Sequence, residues 1–265
     1  MTTMKALFLQ SSGRVGGNTA RVVRMAESAL QAEAKRAGIS IDTEVLDLGS
    51  VDIRPCRGCR SCFDKGENTC PQNDELLSVK EKMRAADILV LAAPVYVNDV
   101  NGIMKNWIDR LAHVCHRPEF AGKTAMLLAT TGATPARHTL RTMQVALWTW
   151  GYRIACKAWF TTGANMSAEE LQERHARRIA QVARRLLKDI RNHGAEKPSF
   201  LSLVVFRIQQ AGWRKAARGS IDYSYWNDRG WLDFRRCTWF LPHRASPLNV
   251  AAARLVGSVA AAIFT

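Results

Sequence analysis

Short apolar runs alternate with stretches of helical periodicity along the first 190 residues. Five runs predict strands: Met4–Gln10, Ile41–Leu48, Asp87–Ala93, Lys123–Thr130 and Tyr152–Phe160. Five stretches predict helices: Asn18–Arg36, a helix capped by Asn73 or Asp74 and running to about Ala86, Asn101–Val114, Pro135–Trp150 and Ala168–Arg191. Alternating strands and helices are typical of an α/β fold with a doubly wound parallel sheet and right-handed crossovers.

The helical pattern stops at residues 194–198, GAEKP, which predicts a domain over residues 1–195 and an extension over 196–265. From residue 197 onward there are 10 basic and 3 acidic side chains, so this part carries nearly half of the net charge of +15. Such a basic segment favours an anionic partner. The last 19 residues, PLNVAAARLVGSVAAAIFT, predict an apolar helix, and Arg254 in its middle argues against a membrane span.

The extension also holds four of the eight tryptophans, Trp213, Trp226, Trp231 and Trp239. Rings of this size need a surface on which to be buried. The extension could wrap its own domain or a second subunit, and we expect a homodimer in which residues from about Phe200 onward contribute. It could instead lie on an anionic membrane surface. Nucleic-acid binding is a third reading, but no nucleic-acid motif supports it, and we expect no such partner.

Nothing in the sequence predicts membrane insertion or secretion. No run of 18 apolar residues occurs, and the start, MTTMKALFLQSSG, lacks the apolar core and cleavage site of a signal peptide. We therefore expect a cytoplasmic protein, in which clustered cysteines more often bind metal or do redox work than form disulfides.

Polar loops follow the first, third and fourth predicted strands, and all three should open on one edge of the sheet. The first loop, Ser11–Ala20, leads into a helix N-terminus, which suits a phosphate group. It matches neither the P-loop nor the dinucleotide fingerprint. The second and third loops, Pro94–Gly102 and Thr130–Arg137, leave room for a flat heteroaromatic ring between them.

Together these loops carry a family resemblance. With SSGRVGGNT at 11–19, PVY at 94–96, KNWIDR at 105–110 and TTG at 130–132, the chain resembles the flavodoxin-like NAD(P)H-dependent FMN reductases over about residues 4–190. The similarity is to the branch that includes the iron–sulfur flavoproteins. It implies a five-stranded parallel sheet of order 2-1-3-4-5, FMN as cofactor and NAD(P)H as reductant.

The resemblance also implies which residues contact the FMN. The phosphate would be held by Ser11, Ser12, Arg14, Gly17, Asn18 and Thr19. The isoalloxazine ring would be held by Pro94, Val95, Tyr96, Val97 and Asn98, with Thr130, Thr131 and Gly132 on its third side. Tyr96 would lie nearest the ring, and no catalytic acid or base is assigned. Gly13 stands where the family often has proline, which predicts a looser first loop.

The function that follows is an oxidoreductase that transfers electrons from NAD(P)H to a quinone or another small acceptor. Two alternatives stay open at this point. The protein could be an electron carrier that a partner protein reduces, or a redox sensor that uses its thiols.

Four of the seven cysteines fall within fifteen residues, with the spacing C-x2-C-x2-C-x7-C: Cys56, Cys59, Cys62 and Cys70. In the iron–sulfur branch a cysteine cluster at this place ligates a 4Fe-4S cluster, and four thiolates are its usual complement. Zinc and plain reduced thiols are the other readings. The remaining three, Cys115, Cys156 and Cys237, are isolated, which favours core or surface thiols.

Overall fold

The protein is described here by a computed structural model that covers residues 3–163, 166–191 and 196–264. The chain forms two compact units. The first unit comprises Met1–Arg57 and Gln72–Asn192, and the second unit comprises Gly58–Pro71 and His193–Thr265. The segment that carries three of the clustered cysteines therefore belongs to the same unit as the C-terminal extension.

A parallel sheet is the centre of the first unit. Its strands are β1 (Met4–Gln10), β2 (Ile41–Asp47), β3 (Ile88–Tyr96), β5 (Thr124–Thr131) and β6 (Arg153–Thr161), with a two-residue strand β4 (Asp99–Val100) beside β3. The order is β2-β1-β3-β5-β6, and all neighbours on this path run parallel. The predicted fold class and strand order are thus confirmed.

Helices cover both faces of this sheet because its central strands are apolar on both sides. The helices of the first unit are α1 (Asn18–Arg36), α3 (Leu76–Ala85), α4 (Gly102–Arg110), α5 (Arg137–Thr149) and α6 (Ala168–Arg191). Phe8 points into a core shared with α1 and α6, and its neighbours Leu7 and Leu9 point into a core shared with α3, α4 and α5. This alternation follows from the period of two in a strand.

Two predicted boundaries are wrong by three residues or more. β3 continues past Ala93 to Tyr96, because Val95 and Tyr96 pair with Val100 and Asp99 in an antiparallel hairpin. The helix predicted to run to Val114 ends at Arg110, and a 3₁₀ turn over Ala112–Cys115 follows it. The amide of Leu111 bonds to the carbonyls of both Trp107 and Ile108, and this tightens the last turn.

The second unit is helical in its described residues. It contains the short helix α2 (Ser61–Asp64), α7 (Phe200–Lys215), α8 (Ile221–Asp228) and α9 (Pro247–Phe264), and α7 packs along α9. Its core is aromatic: Trp226 and Trp231 are buried against Phe206 and Phe240. The tryptophans were expected to be buried on a surface outside the extension. Instead, they are buried mainly on one another.

Helix α9 confirms the helix predicted for the end of the chain. Its inner face packs on α7 around Ala253 and Gly257. Its outer face exposes apolar residues, with Leu248 83%, Leu255 69% and Ile263 71% exposed. Across the described ranges, no helix has the length and hydropathy that crossing a bilayer requires.

Candidate functional site

Side-chain hydrogen bonds tie together the carboxyl ends of β1, β3 and β5. After β1, the Ser11 hydroxyl donates to Oδ1 of Asn101 over 2.8 Å, and Nδ2 of Asn101 donates back to the Ser11 carbonyl. The hydroxyl oxygens of Thr19 and Thr130 lie 2.7 Å apart. All four residues are buried. The three loops that the sequence predicted to share one edge of the sheet therefore meet there.

The first loop is a tight turn built around Arg14. The Ser12 hydroxyl donates to the carbonyl of Arg14 over 3.1 Å, and the amide of Gly17 donates to the same carbonyl over 3.1 Å. A Cβ on Gly17 would lie 3.1 Å from the Cβ of Arg14 and 3.2 Å from the Ser12 hydroxyl oxygen. A larger residue at position 17 would therefore require the side chain of Arg14 or of Ser12 to shift by a few tenths of an ångström.

Helix α1 begins without a side-chain cap. Its N-cap residue is Gly17, and its first turn contains no acidic side chain. The first amides of a helix have no partner within the helix and lie at its positive end. Arg14, just before this end, is exposed and its guanidinium makes no hydrogen bond or ion pair with the described residues. An anion at this position would meet several amides and one guanidinium.

Asn18 has a different contact from the one that the resemblance implies for it. Its side-chain amide donates to the carbonyl of Gly163 over 3.1 Å. This bond holds the end of β6 beside the start of α1. Its backbone amide, in the first turn of the helix, is one of the amides without a partner inside the helix.

The second loop is a hairpin with a strained tip. Tyr96 pairs with Asp99, and the two residues between them, Val97 and Asn98, have φ values of +47° and +66°. A two-residue hairpin loop of type I′ requires this geometry, which asparagine tolerates and a β-branched valine does not. Tyr96 is 52% exposed and Val97 fully exposed, so the tip offers an apolar surface to a ring. Pro94 and Val95 end the strand beneath it.

The third loop is open at its centre. Thr131 is buried at the end of β5, and a Cβ built on Gly132 would have no atom within 4 Å. Beyond this loop, His138 Nε2 lies 3.3 Å from Oδ2 of Asp99, which joins α5 to the hairpin. The contacts of His138 and Asn101 were not predictable from the sequence, because a contact between residues about 40 or 90 positions apart leaves no local signal.

The residues at this edge fit FMN. The uncapped start of α1 and the exposed Arg14 provide the chemistry for a phosphate dianion. Tyr96, Val97 and the open space at Gly132 suit a planar ring. In addition, the buried Oε1 of Gln10, at the carboxyl end of β1, has no partner among the described residues and can accept a hydrogen bond from a ligand.

A buried ion pair in the first unit holds the two ends of the cysteine-bearing segment. Arg110 and Asp74 form this pair, with side chains 2% and 1% exposed. Asp74 also accepts the amide of Arg54 over 2.9 Å, and Arg110 donates to the carbonyl of Arg54 over 2.5 Å. Gln72 donates to the carbonyl of Pro55 over 2.7 Å. The segment thus leaves and re-enters the first unit at one place.

The four clustered cysteines differ in exposure. Cys56 and Cys59 are exposed, and Cys62 and Cys70 are half-buried. In the part of the chain that the structure describes, no group of three or more His, Cys, Asp or Glu side chains is arranged to hold a metal ion. Four thiols within fifteen residues are the donor set that a 4Fe-4S cluster takes, but they are not gathered around one point in this structure, and no electron-transfer step is assigned to them.

Cys156 is a core thiol, as its isolation in the sequence predicts. It lies at 7% exposure on β6, and burial raises the pKa of its thiol to about 12. Cys237 in the second unit is half-buried, and burial raises the pKa of its thiol, which also donates to the Trp239 carbonyl over 3.3 Å. Both thiols stay protonated near neutral pH and are poor nucleophiles.

Comparison with known proteins agrees with this geometry. Residues 4–164 match the family described as NADPH-dependent FMN reductase. An iron–sulfur flavoprotein of Archaeoglobus fulgidus is 26% identical over 235 residues, which cover 86% of this chain and 100% of the relative. An FMN-dependent NADH:quinone oxidoreductase of Shewanella baltica is 27% identical over 162 residues, 54% of this chain and 79% of the relative. Further iron–sulfur flavoproteins are matched over only 36 to 58% of their own length.

Among solved structures, RosB with the bound intermediate 8-demethyl-8-formylriboflavin-5'-phosphate has a TM-score of 0.52 and 21% identity. The superposition covers 70% of this chain and 81% of that one. At this identity the likeness supports the fold alone.

Proposed function

The chain belongs to the NADPH-dependent FMN reductase family and is by that membership an NAD(P)H-dependent flavin oxidoreductase, and from this premise we propose that it passes electrons from a nicotinamide through FMN to a quinone or another small acceptor. The observation that carries the proposal is the convergence of three loops at the carboxyl edge of the sheet. One loop provides an anion site and the other two provide exposed apolar surface.

The residues of the chain bind and orient in this scheme. Arg14 and the first amides of α1 would hold the phosphate, and this fixes one end of the cofactor. The Ser11–Asn101 and Thr19–Thr130 contacts keep the loops in register, so that the ring position does not depend on a mobile loop. When bound, FMN supplies the acceptance of hydride and the onward transfer of electrons.

A small, flat acceptor suits the open side of the site. Tyr96 and Val97 are exposed and Gly132 has free space next to it, so a second planar molecule has room against the ring position. The name of the Shewanella baltica relative supports a quinone as this acceptor. No acid or base is required of the chain, and none is assigned.

Arg14→Ala is expected to raise the Kd of FMN by about 10- to 100-fold, since the loss of a charge-assisted phosphate contact costs about 1.5–3 kcal/mol. Steady-state NAD(P)H oxidation should fall at limiting FMN and recover at saturating FMN. Fluorescence titration of the apoprotein with FMN measures the first effect, and oxidation assays at several FMN concentrations measure the second.

Arg24→Ala is the matched control, because Arg24 is an exposed arginine on the same helix, away from its start. Its Kd for FMN should stay unchanged. An equal loss of FMN affinity in both variants would mean that net charge, and not a phosphate contact, explains the effect. Tight FMN binding without NAD(P)H oxidation in the wild type would favour the electron carrier or the thiol sensor over the enzyme.

We further propose that the segment from Cys56 to Cys70 ligates a 4Fe-4S cluster, on the strength of its spacing and of the name of the Archaeoglobus fulgidus relative. Protein purified without oxygen should contain iron and acid-labile sulfide in equal amounts, with broad absorption near 400 nm beside the flavin bands. Cys59→Ser should lose both, whereas Cys156→Ser should keep them. Zinc without sulfide would identify a zinc site, and absence of all three would leave reduced thiols.

The homodimer and the contact of the extension with a membrane surface stay predictions of the sequence. The uncharged outer face of α9, with Leu248, Leu255 and Ile263, is the described surface best suited to either.

A further inference from the structure

Three arginines of the second unit contact one residue, Phe234. The guanidinium carbons of Arg207 and Arg214 lie 3.5 Å and 3.9 Å from the centroid of Phe234. Two guanidinium groups this close to one centroid cannot share a face, so they lie on opposite sides of the ring, no more than about 7.4 Å apart and within one Debye length at physiological ionic strength. Arg254, from α9, donates to the carbonyl of the same phenylalanine. Three positive charges are thus gathered at one place.

Neutral groups fix these guanidinium groups in position. Arg207 donates to the hydroxyl of Ser258 and to Oε1 of Gln210, both over 2.9 Å. Arg214 donates to the carbonyl of Leu232 over 3.3 Å. Each arginine has five N–H donors, so several remain for a ligand. The positions are therefore set in advance without the charge being neutralised.

No described carboxylate forms an ion pair with any of the three arginines. Asp233 stands next to Phe234 in the chain, but its carboxylate accepts the amides of Arg235 and Arg236 over 2.8 and 3.2 Å. It also faces the side chain of Arg236 at 4.0 Å. Asp233, the acidic residue closest in sequence to Phe234, therefore contacts Arg235 and Arg236 and does not pair with the three arginines.

The gathered charges repel one another in a partly desolvated place. Burial, together with the charges of Arg254 and Arg214, lowers the pKa of Arg207 below its ordinary value. Stacking on Phe234 offsets part of this cost. An anion bound at the edge of the Phe234 ring would reduce this repulsion by pairing with the guanidinium groups.

We propose that Arg207, Arg214 and Arg254 form a binding site for a phosphate group in the second unit. Guanidinium forks match phosphate oxygens in pairs, and a phosphate offers enough oxygens for three arginines, whereas a carboxylate offers two. This site is distinct from the loops of the first unit, and it does not rest on the proposed function.

The phosphate could come from a soluble phosphate ester or from an anionic phospholipid headgroup. Arg254 lies on α9, whose outer face exposes Leu248, Leu255 and Ile263 and carries no charge. The two sources share one chemistry and are separated by experiment.

The first arm is calorimetric titration of the FMN-loaded full chain with inorganic phosphate, in a buffer free of phosphate. Because FMN occupies the loops of the first unit, one further saturable site should appear. Arg214 is exposed, so Arg214→Gln should fold, and it should weaken this site at least tenfold. Arg214→Lys, which keeps the charge but loses the fork, should weaken it less. Flavin absorbance in each variant reports separately on the first unit.

Arg218→Gln is the matched control, because Arg218 is exposed in the same unit and its substitution removes the same charge. It should leave phosphate affinity within twofold of the wild type. The second arm is co-sedimentation with phosphatidylglycerol and with phosphatidylcholine vesicles. Binding to phosphatidylglycerol that Arg214→Gln abolishes and Arg218→Gln keeps would identify the lipid headgroup as the source. Phosphate binding without vesicle binding would identify a soluble ester.

Two results would overturn the proposal. One is the absence of both a saturable phosphate site and phosphatidylglycerol binding in the wild type. The other is an equal loss of phosphate affinity in Arg214→Gln and Arg218→Gln, since diffuse positive charge would then account for all binding.

Discussion

Replacing Asp74 with alanine should lower the free energy of unfolding of the first unit by about 3–5 kcal/mol, which is the typical cost of leaving one member of a buried ion pair without its partner. Asp74 and Arg110 are both almost completely inaccessible to solvent. The substitution would leave the buried guanidinium without this carboxylate, while its hydrogen bond to the carbonyl of Arg54 would remain. Urea unfolding followed by far-UV circular dichroism measures the loss.

The pH dependence of stability gives a second readout for the same pair. Burial alone would raise the pKa of Asp74, but the hydrogen bond from Arg110 and the amides of Arg54 and Leu76 outweigh it and lower the pKa. The carboxylate therefore contributes stability that is fully present above its unfolded pKa, about 3.9, and is lost as the pH falls through the lower folded value. The advantage of the wild type over Asp74→Asn should shrink below pH 4.

Asp109→Ala is the control for both experiments. Asp109 pairs with Lys105 on the surface of α4, at 2.6 Å and with its side chain 46% exposed. Exposed pairs of this kind contribute about 0.2–1 kcal/mol. If Asp74→Ala cost no more than Asp109→Ala, the buried pair would not be holding the base of the cysteine-bearing segment.

Trp226→Ala should destabilise the second unit by about 3–5 kcal/mol, the usual cost of removing a fully buried tryptophan. Its ring is inaccessible to solvent and packs edge-on against Trp231 and Phe240, with centroids 5.3 and 5.8 Å away. Hydrogen exchange read by mass spectrometry should show faster exchange in α7 and α8 than in the wild type.

Trp107→Ala is the matched substitution in the first unit. Trp107 is equally buried and packs edge-on against Trp150 at 5.2 Å. Its faster exchange should appear in α4 and α5. The assignment of Trp226 to a core of its own would be wrong if Trp226→Ala accelerated exchange in the sheet and left α7 and α8 unchanged.

The sheet was predictable because its signals are local. The run Asp87–Ala93 predicted a buried strand, and α1 begins at Asn18, the residue from which the helix was predicted. The ends of elements were less predictable where tertiary contacts set them. β3 extends to Tyr96 only because Asp99 and Val100 fold back on it, and a valine at the tip gives no hairpin signal.

The candidate site was predictable in its loops but not in the contacts between them. The order of the motifs predicted the first loop and Tyr96, since the residues within each motif are adjacent in the chain. The partners of Ser11 and Asp99, which are Asn101 and His138, lie far away in sequence and become visible only after folding. The aromatic core of the second unit was anticipated as a need for burial, but helical periodicity could not show that the rings would satisfy it among themselves.

The division of the second unit into two separated stretches sets an order of events during synthesis. Cys59, Cys62 and Cys70 emerge from the ribosome early, yet the rest of their unit begins at His193 and ends at the last residue. At about 5–20 residues per second, synthesis of the remaining chain takes on the order of 10–40 s. Throughout that time these cysteines have no folded unit around them. A metal-delivery system, or an oxidant, therefore has access to these cysteines before the unit is complete.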